Sequence, residues 1–168
     1  ILPVIVFAQF AGTSLWFAGN AVLPDLTDIL QLSDAAVGHV TSAVQFGFIG
    51  GTLLFAYLSL ADRFSPSLVF LICAVAGSAA NLLAVFSTGY FTLLLTRLFT
   101  GFFLAGIYPV GMKIASDWHR EGLGKALGYL VGALVLGTAL PHLIRDLSGD
   151  LPWKFIMIST SAIATFGG

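Results

Sequence analysis

The amino-acid sequence predicts an all-α membrane protein, with six transmembrane helices arranged as a 3+3 inverted repeat. Three observations predict it. Hydrophobic residues make up 58% of the 168 residues and charged residues only 9%, where a water-soluble domain carries about 25% charged residues. The apolar residues fall into six runs, each close to the roughly 20 residues that a helix needs to cross the hydrocarbon. The chain also echoes itself at a nearly constant offset. Thr13 to Gly19 reads T-S-L-W-F-A-G, and Thr100 to Gly106, 87 residues on, reads T-G-F-F-L-A-G. Gly38 and Gly51-Thr52 recur 86 residues on as Gly124 and Gly137-Thr138. Both echoes map helix n onto helix n+3, and a triplet of helices re-enters the membrane from the opposite side.

The spans follow in order. Span one covers about 1–23 and stops near Pro24-Asp25. The segment Asp25 to Asp34 holds three Asp and reads as a loop with a short amphipathic piece. Ser33-Asp34 is an N-cap for span two, 36–60, which ends at Ala61-Asp62-Arg63. Pro66, suited to a first helical turn, opens span three, 66–86. Ser87-Thr88-Gly89 is a turn into span four, 90–115. The polar link Ser116 to Glu121 leads to span five, 122–144, and span six, 152–168, starts at Pro152-Trp153. Pro109 and Pro141 are expected to kink spans four and five, with neighbours satisfying the freed carbonyls. Both ends read as cut from a longer polypeptide.

Charge gives an orientation. The loops on the side of the N-terminus hold Arg63, Lys113, Arg120 and Lys125, whereas the opposite side holds Arg145 and Lys154 together with Asp25, Asp28 and Asp34. The positive-inside rule then puts the N-terminus in the cytoplasm.

Several function classes drop out. Seven Lys plus Arg against eight Asp plus Glu leave no basic patch for nucleic acid. Cys73 stands alone in an apolar run, which excludes a disulfide framework and a Cys-based metal site. His39, His119 and His142 are dispersed, with His119 read as a solvated loop residue. There is no G-x-S-x-G, H-E-x-x-H or Gly-Lys-Ser/Thr loop. The inventory calls for no enzyme, no cofactor and no metal.

The polar residues inside the spans are few and patterned. Gln9, Thr13, Trp16 and Asn20 recur at spacings of four, three and four on one face of span one. Span two repeats this with Thr41, Gln45, Phe48 and Thr52, and span four with Arg97, Gly101, Ala105 and Tyr108. Amides in hydrocarbon need partners or a wet cavity, so these stripes either line a central cavity or bond between helices. We expect Gln9, Thr13, Trp16, Asn20, Thr41, Gln45, Arg97 and Tyr108 to line a substrate cavity. Ordinary packing remains open for Trp16 and Tyr108. An intramembrane Arg is by default a functional-site hypothesis. Arg97 either bonds the carbonyls and polar groups of span one or supplies positive potential to the cavity, in which case an anion is favoured. Asn81 reads as helix-packing glue. Gly47, Gly51, Gly101, Gly128 and Gly132 are expected to let helices approach closely. No Asp or Glu lies at mid-span.

The chain resembles the N-terminal half of a major facilitator superfamily transporter. L-S-L-A-D-R-F-S-P-S, Leu58 to Ser67, is similar to the family's loop motif G-x-x-x-D-R/K-x-G-R-R/K, with Asp62 and Arg63 matching. R-L-F-T-G, Arg97 to Gly101, resembles R-x-x-x-G and is followed by A-G-I-Y-P. D-W-H-R-E-G-L-G-K-A-L-G, from Asp117, is similar to W…E-R-G-x-A-x-G, and P-W-K-F, from Pro152, to W-R-x-x-F. The resemblance covers essentially the whole chain. It implies a six-helix bundle in a bacterial-type inner membrane, with Asp62 and Arg63 in a cytoplasmic gate. It also implies transport of a small polar, possibly anionic, solute by alternating access against a second six-helix bundle, on the same polypeptide or as a second copy. The expected partners are that bundle, the solute and the lipid bilayer. The alternative is a non-transporting relative, such as an assembly or pigment-handling membrane factor.

Overall fold

A computed structural model describes residues 1–149 and 151–168. These residues form ten α-helices and one 3₁₀ turn, with no strand among the described residues. Span one is α1 (Leu2–Thr13) followed by α2 (Leu15–Ala21). The acidic segment after it is helical, α3 (Leu23–Leu30), because Pro24 suits a first turn and Asp25 faces the positive end of the dipole. Span two is α4 (Asp34–Tyr57), capped by the Ser33 hydroxyl, which accepts from the Ala36 amide at 3.3 Å. A single turn, α5 (Leu60–Arg63), leads to span three, α6 (Pro66–Leu83) with the 3₁₀ turn Ala84–Phe86. Span four is α7 (Tyr90–Leu104) and α8 (Tyr108–Trp118). Span five is α9 (Leu123–Ser148), with Pro141 inside it, and span six is α10 (Trp153–Gly167). The first five spans are long and apolar enough to cross a membrane. At 15 residues α10 is shorter; it packs on α6 and α1 and closes the bundle.

Two spans bend or tighten locally while keeping right-handed helical dihedrals, for different chemical reasons. At the α1–α2 junction Thr13 Oγ1 donates back to the Gln9 carbonyl at 2.8 Å and Ser14 Oγ to the Ala11 carbonyl at 2.7 Å. Hydroxyls that back-bond in this way bend a helix. At the α7–α8 junction Pro109 has no N–H to offer the Ala105 carbonyl. The amides of Ala105, Gly106 and Ile107 reach three residues back instead, at 3.3, 3.0 and 3.0 Å, winding the chain tightly before α8 starts.

The packing carries the repeat. The most extensive helix contact is α4 on α7, followed by α1 on α9. Under the mapping of helix n onto n+3, spans two and four become spans five and one, so each pair is the image of the other. Glycine makes both crossings possible. A Cβ on Gly47 would strike the Leu98 carbonyl, one on Gly101 the Val44 carbonyl, and one on Gly51 would lie 2.5 Å from the Phe102 oxygen. In the other pair Gly137 accommodates Thr13 Oγ1 and the Phe10 carbonyl.

Spans two and five are the outer members. Only 28% and 22% of their most apolar stretches are buried, against 50% in spans one, three and four, so α4 and α9 are the helices with uncovered faces. Within this bundle Gly128 and Gly132, like Gly124, meet no other helix among the described residues, because they lie on the side of α9 turned away from α1.

Candidate functional site

The polar centre of the bundle is Arg97 on α7, 1% exposed. Its side chain lies along Gly19, where a Cβ would come within 2.6 Å of Nε, so only glycine leaves room for it. Nη2 donates to the Trp16 carbonyl at 2.6 Å and to the Leu15 carbonyl at 3.4 Å. Nη1 donates to the Asn81 Oδ1 at 3.0 Å and to the Leu15 carbonyl at 3.5 Å. Asn81 Nδ2 passes the network on, to Ser161 Oγ at 3.0 Å, Thr160 Oγ1 at 3.4 Å and the Met157 carbonyl at 3.5 Å. One guanidinium therefore ties together spans one, three, four and six. Among the described residues no carboxylate joins it. Carbonyl and amide dipoles solvate the charge without cancelling it, and they do so just past the α1–α2 junction.

The sequence missed this network for an identifiable reason. Asn81 reads as packing glue and Thr160 and Ser161 draw no attention, yet an Arg in hydrocarbon requires acceptors, and these are polar groups on the neighbouring spans. Gly19 gives no signal of its own.

The expected cavity residues divide into two groups. Gln9, Thr13 and Arg97 are sealed inside the bundle, at 0%, 0% and 1% exposure, and do not lie on an open wall. The Gln9 carboxamide rests on Gly111 and finds no hydrogen-bond partner for either polar atom among the described residues. Thr13 spends its hydroxyl on the α1 backbone. Helical spacing placed these side chains on one face correctly, but that face is opposed by neighbouring helices. Trp16, Asn20, Thr41, Gln45 and Tyr108 keep partial exposure. Trp16 packs on Phe48 of α4 with ring centroids 4.7 Å apart. Asn20 opens on a shallow cleft with Leu23, Thr27, Asp28 and Val37. Gln45 Oε1 is buried without a partner.

Charges mark the two ends. At one end Lys113 Nζ lies 3.0 Å from Asp62 and 3.6 Å from Asp117, beside a cleft of about 170 Å³ that also touches Thr52, Ala105 and Pro109. Arg63 is exposed there and enters no ion pair among the described residues. At the other end Arg145 Nη2 lies 2.8 Å from one Asp25 carboxylate oxygen and 3.1 Å from the second.

An all-helical inverted repeat with apolar spans and an enclosed Arg97 that no carboxylate among the described residues neutralises is, by class, a polytopic membrane bundle. The Major Facilitator Superfamily matches residues 5–167, and the chain belongs to it. It is 28% identical over 138 residues to solute carrier family 22 member 7 of Mus musculus, covering 79% of this chain and 24% of the relative. It is 27% identical over 139 residues to the D-galactonate transporter of Escherichia coli O6:H1, covering 79% and 31%. It is 28% identical over 163 residues to the 4-hydroxybenzoate transporter PcaK of Pseudomonas aeruginosa, covering 89% and 35%. The chain thus spans about a quarter to a third of the length of these relatives. Among solved structures it superposes with a TM-score of 0.80 on a bacterial homologue of the human lysosomal transporter Spinster, inward-facing and occupied, at 15% identity over 99% of this chain and 42% of that one. The shared fold is that of a multi-pass helical membrane protein, and a family match of this partial length fits one half of a two-bundle member.

Proposed function

We propose that this bundle is the N-terminal half, 1–168, of a secondary carrier that moves a small polar solute, with anions preferred, by alternating access. The observation that carries the reading is Arg97, enclosed at the centre of the bundle with carbonyl and amide acceptors and no carboxylate among the described residues. An intramembrane cation of this kind marks a substrate or ion pathway. A second six-helix bundle would cover the open faces of α4 and α9. The cavity wall is then Trp16, Asn20, Thr41, Gln45 and Tyr108. Gln9 and Thr13 back it from inside, and Arg97 acts as a positioning residue that fixes α2 and biases the potential towards anions. Galactonate and 4-hydroxybenzoate, named for two of the relatives, are both carboxylates, which supports the anion preference. The excess of basic residues in the loops on the side of the N-terminus supports a cytoplasmic N-terminus, in what we take to be a bacterial-type inner membrane. There Asp62, held by Lys113, and the exposed Arg63 form the gate towards the second bundle.

The test is a melting-temperature screen on the full-length parent in detergent, using organic anions, inorganic anions, cations and neutral sugars. A ligand that binds the folded state raises the transition. Carboxylates are expected to raise it, and Asn20→Ala and Gln45→Ala to remove that rise while leaving the unliganded value in place. A rise with cations or sugars alone would refute the anion preference. Silence across the panel would favour the non-transporting alternative.

A further inference from the structure

The two ion pairs at the ends of the bundle obey the same repeat as the helices. Asp25 and Lys113 are 88 residues apart, and Asp62 and Arg145 are 83 apart, so each partner falls within about one helical turn of the place that the 86–87 offset gives it. The signs are exchanged. In span four the helix beyond the junction carries the base, Lys113 on α8, and its partner Asp62 sits on α5, at the end of span two. In span one the chain beyond the junction carries the acid, Asp25 on α3, and its partner Arg145 sits on α9.

The spacing from the glycine crossings is also matched. Gly101 crosses Gly47's helix and Thr13 crosses at Gly137. Lys113 lies 12 residues beyond Gly101 and Asp25 lies 12 beyond Thr13, roughly 18 Å if the chain were continuous helix. In each pair the first part of the span is pinned by a glycine crossing. The chain further along is pinned by an ion pair, α3 to α9 in one case and α8 to α5, just past α4, in the other.

We propose that Asp25–Arg145 is a latch equivalent to Asp62–Lys113, and that the two latches hold α3 against span five and α8 against the α5 turn that follows span two. Releasing one latch frees its segment to hinge at Val22, where α2 gives way to α3, or at the Ala105–Ile107 junction. Asp25 and Arg145 are positioning residues in this scheme. Their side chains are 26% and 37% exposed, against 69% for Asp62, so the Asp25 latch is the better shielded from salt. Its use in gating rests on the carrier reading; the mechanical coupling does not.

Hydrogen–deuterium exchange on the full-length parent in lipid nanodiscs tests it. Losing a partly exposed ion pair should speed exchange of the segment it holds by about two- to fivefold. Asp25→Asn is expected to do so over residues 23–30 and to leave 108–118 unchanged, and Lys113→Gln to do the reverse. The charge-exchanged double variant Asp25→Arg with Arg145→Asp should return 23–30 to the wild-type rate, while Asp25→Arg alone stays fast. Unchanged exchange over 23–30 in Asp25→Asn, equal acceleration of both segments, or no recovery in the double variant would each overturn the proposal. A solute screen that fails beside intact latch behaviour would count against the carrier reading alone, and the converse against the latch alone.

Discussion

Gln9 and Arg97 occupy near-equivalent places in the two repeats, 88 residues apart and each ahead of the junction in its span. Both are fully enclosed. Both rest on a glycine of another span, Gly111 for Gln9 and Gly19 for Arg97. There the likeness ends. Arg97 bonds two carbonyls and the Asn81 amide, which is itself bonded to span six. The Gln9 carboxamide has nothing. The repeat thus conveys a buried polar position, but not its glycine contact, since Gly19 maps onto Gly106 rather than Gly111, and not its partners. Those come from the carbonyls of span one and from Asn81 of span three, which is tied in turn to span six. Span one is held by the network of span four and returns no equivalent hold.

The largest effect expected from breaking this contrast is at the bonded member. Arg97→Gln leaves the Asn81 oxygen and the Leu15 and Trp16 carbonyls without their shared donor. Stranding buried polar groups costs about 1–3 kcal/mol each when fully unpaired, and on the order of 3 kcal/mol is expected here, since the carbonyls keep other chances of pairing. The apparent melting temperature of the parent should fall clearly. An unchanged transition would mean that the Arg97 network adds no net stability.

Next come the two glycine seats. Gly19→Ala puts a methyl within 2.6 Å of Arg97 Nε, and the guanidinium cannot retreat without giving up its bonds. Overpacking of this kind costs about 1–3 kcal/mol. Gly111→Ala pushes only on the Gln9 carboxamide, which has no bond to lose, and alanine gains about 0.5–1 kcal/mol of helix propensity over glycine. Gly19→Ala should therefore lower the melting transition and Gly111→Ala should leave it near the wild-type value. Equal losses in both would show that the Gln9 side chain is as fixed as Arg97.

Much of this was legible in the sequence, and the boundary of legibility is physical. Composition alone gives the membrane class, because a chain with so few charged residues has no solvated surface. Ser33 marks the start of α4, and Pro109 with Gly106 marks trouble in span four. The bend in span one was not visible, since Thr13 and Ser14 bend the helix through their own backbone bonds rather than through proline. Periodicity showed that Gln9, Thr13, Trp16 and Asn20 share a face but not what opposes it, and packing split them into sealed and half-open pairs. The same limit applies to glycine. Gly47 with Gly51 and Gly128 with Gly132 have one spacing, yet the first pair touches α7 and the second touches nothing in this bundle. Asn81 and Ser161 are 80 residues apart, and only the fold brings them to Arg97.

The unbonded member gives the last and smallest prediction, and its sign is opposite. Replacing a buried polar group that has no partner by an apolar one of similar size removes a desolvation penalty without opening a cavity. Leucine is close enough to glutamine in volume to fill the space between α1 and α8, where Phe70 already lines the neighbourhood of Gly111. Gln9→Leu is therefore expected to stabilise the bundle by about 1 kcal/mol, read as a small rise in the melting transition, where Arg97→Gln gives a fall. A loss of stability in Gln9→Leu would mean that water bonds the carboxamide in the membrane, and the two repeats would then differ in what solvates their buried polar group rather than in whether anything does. If stability rises while solute uptake by the parent falls, the unpaired amide is held for a conformation in which span one has moved, and the cost of leaving it unbonded in this one is the bias between the two.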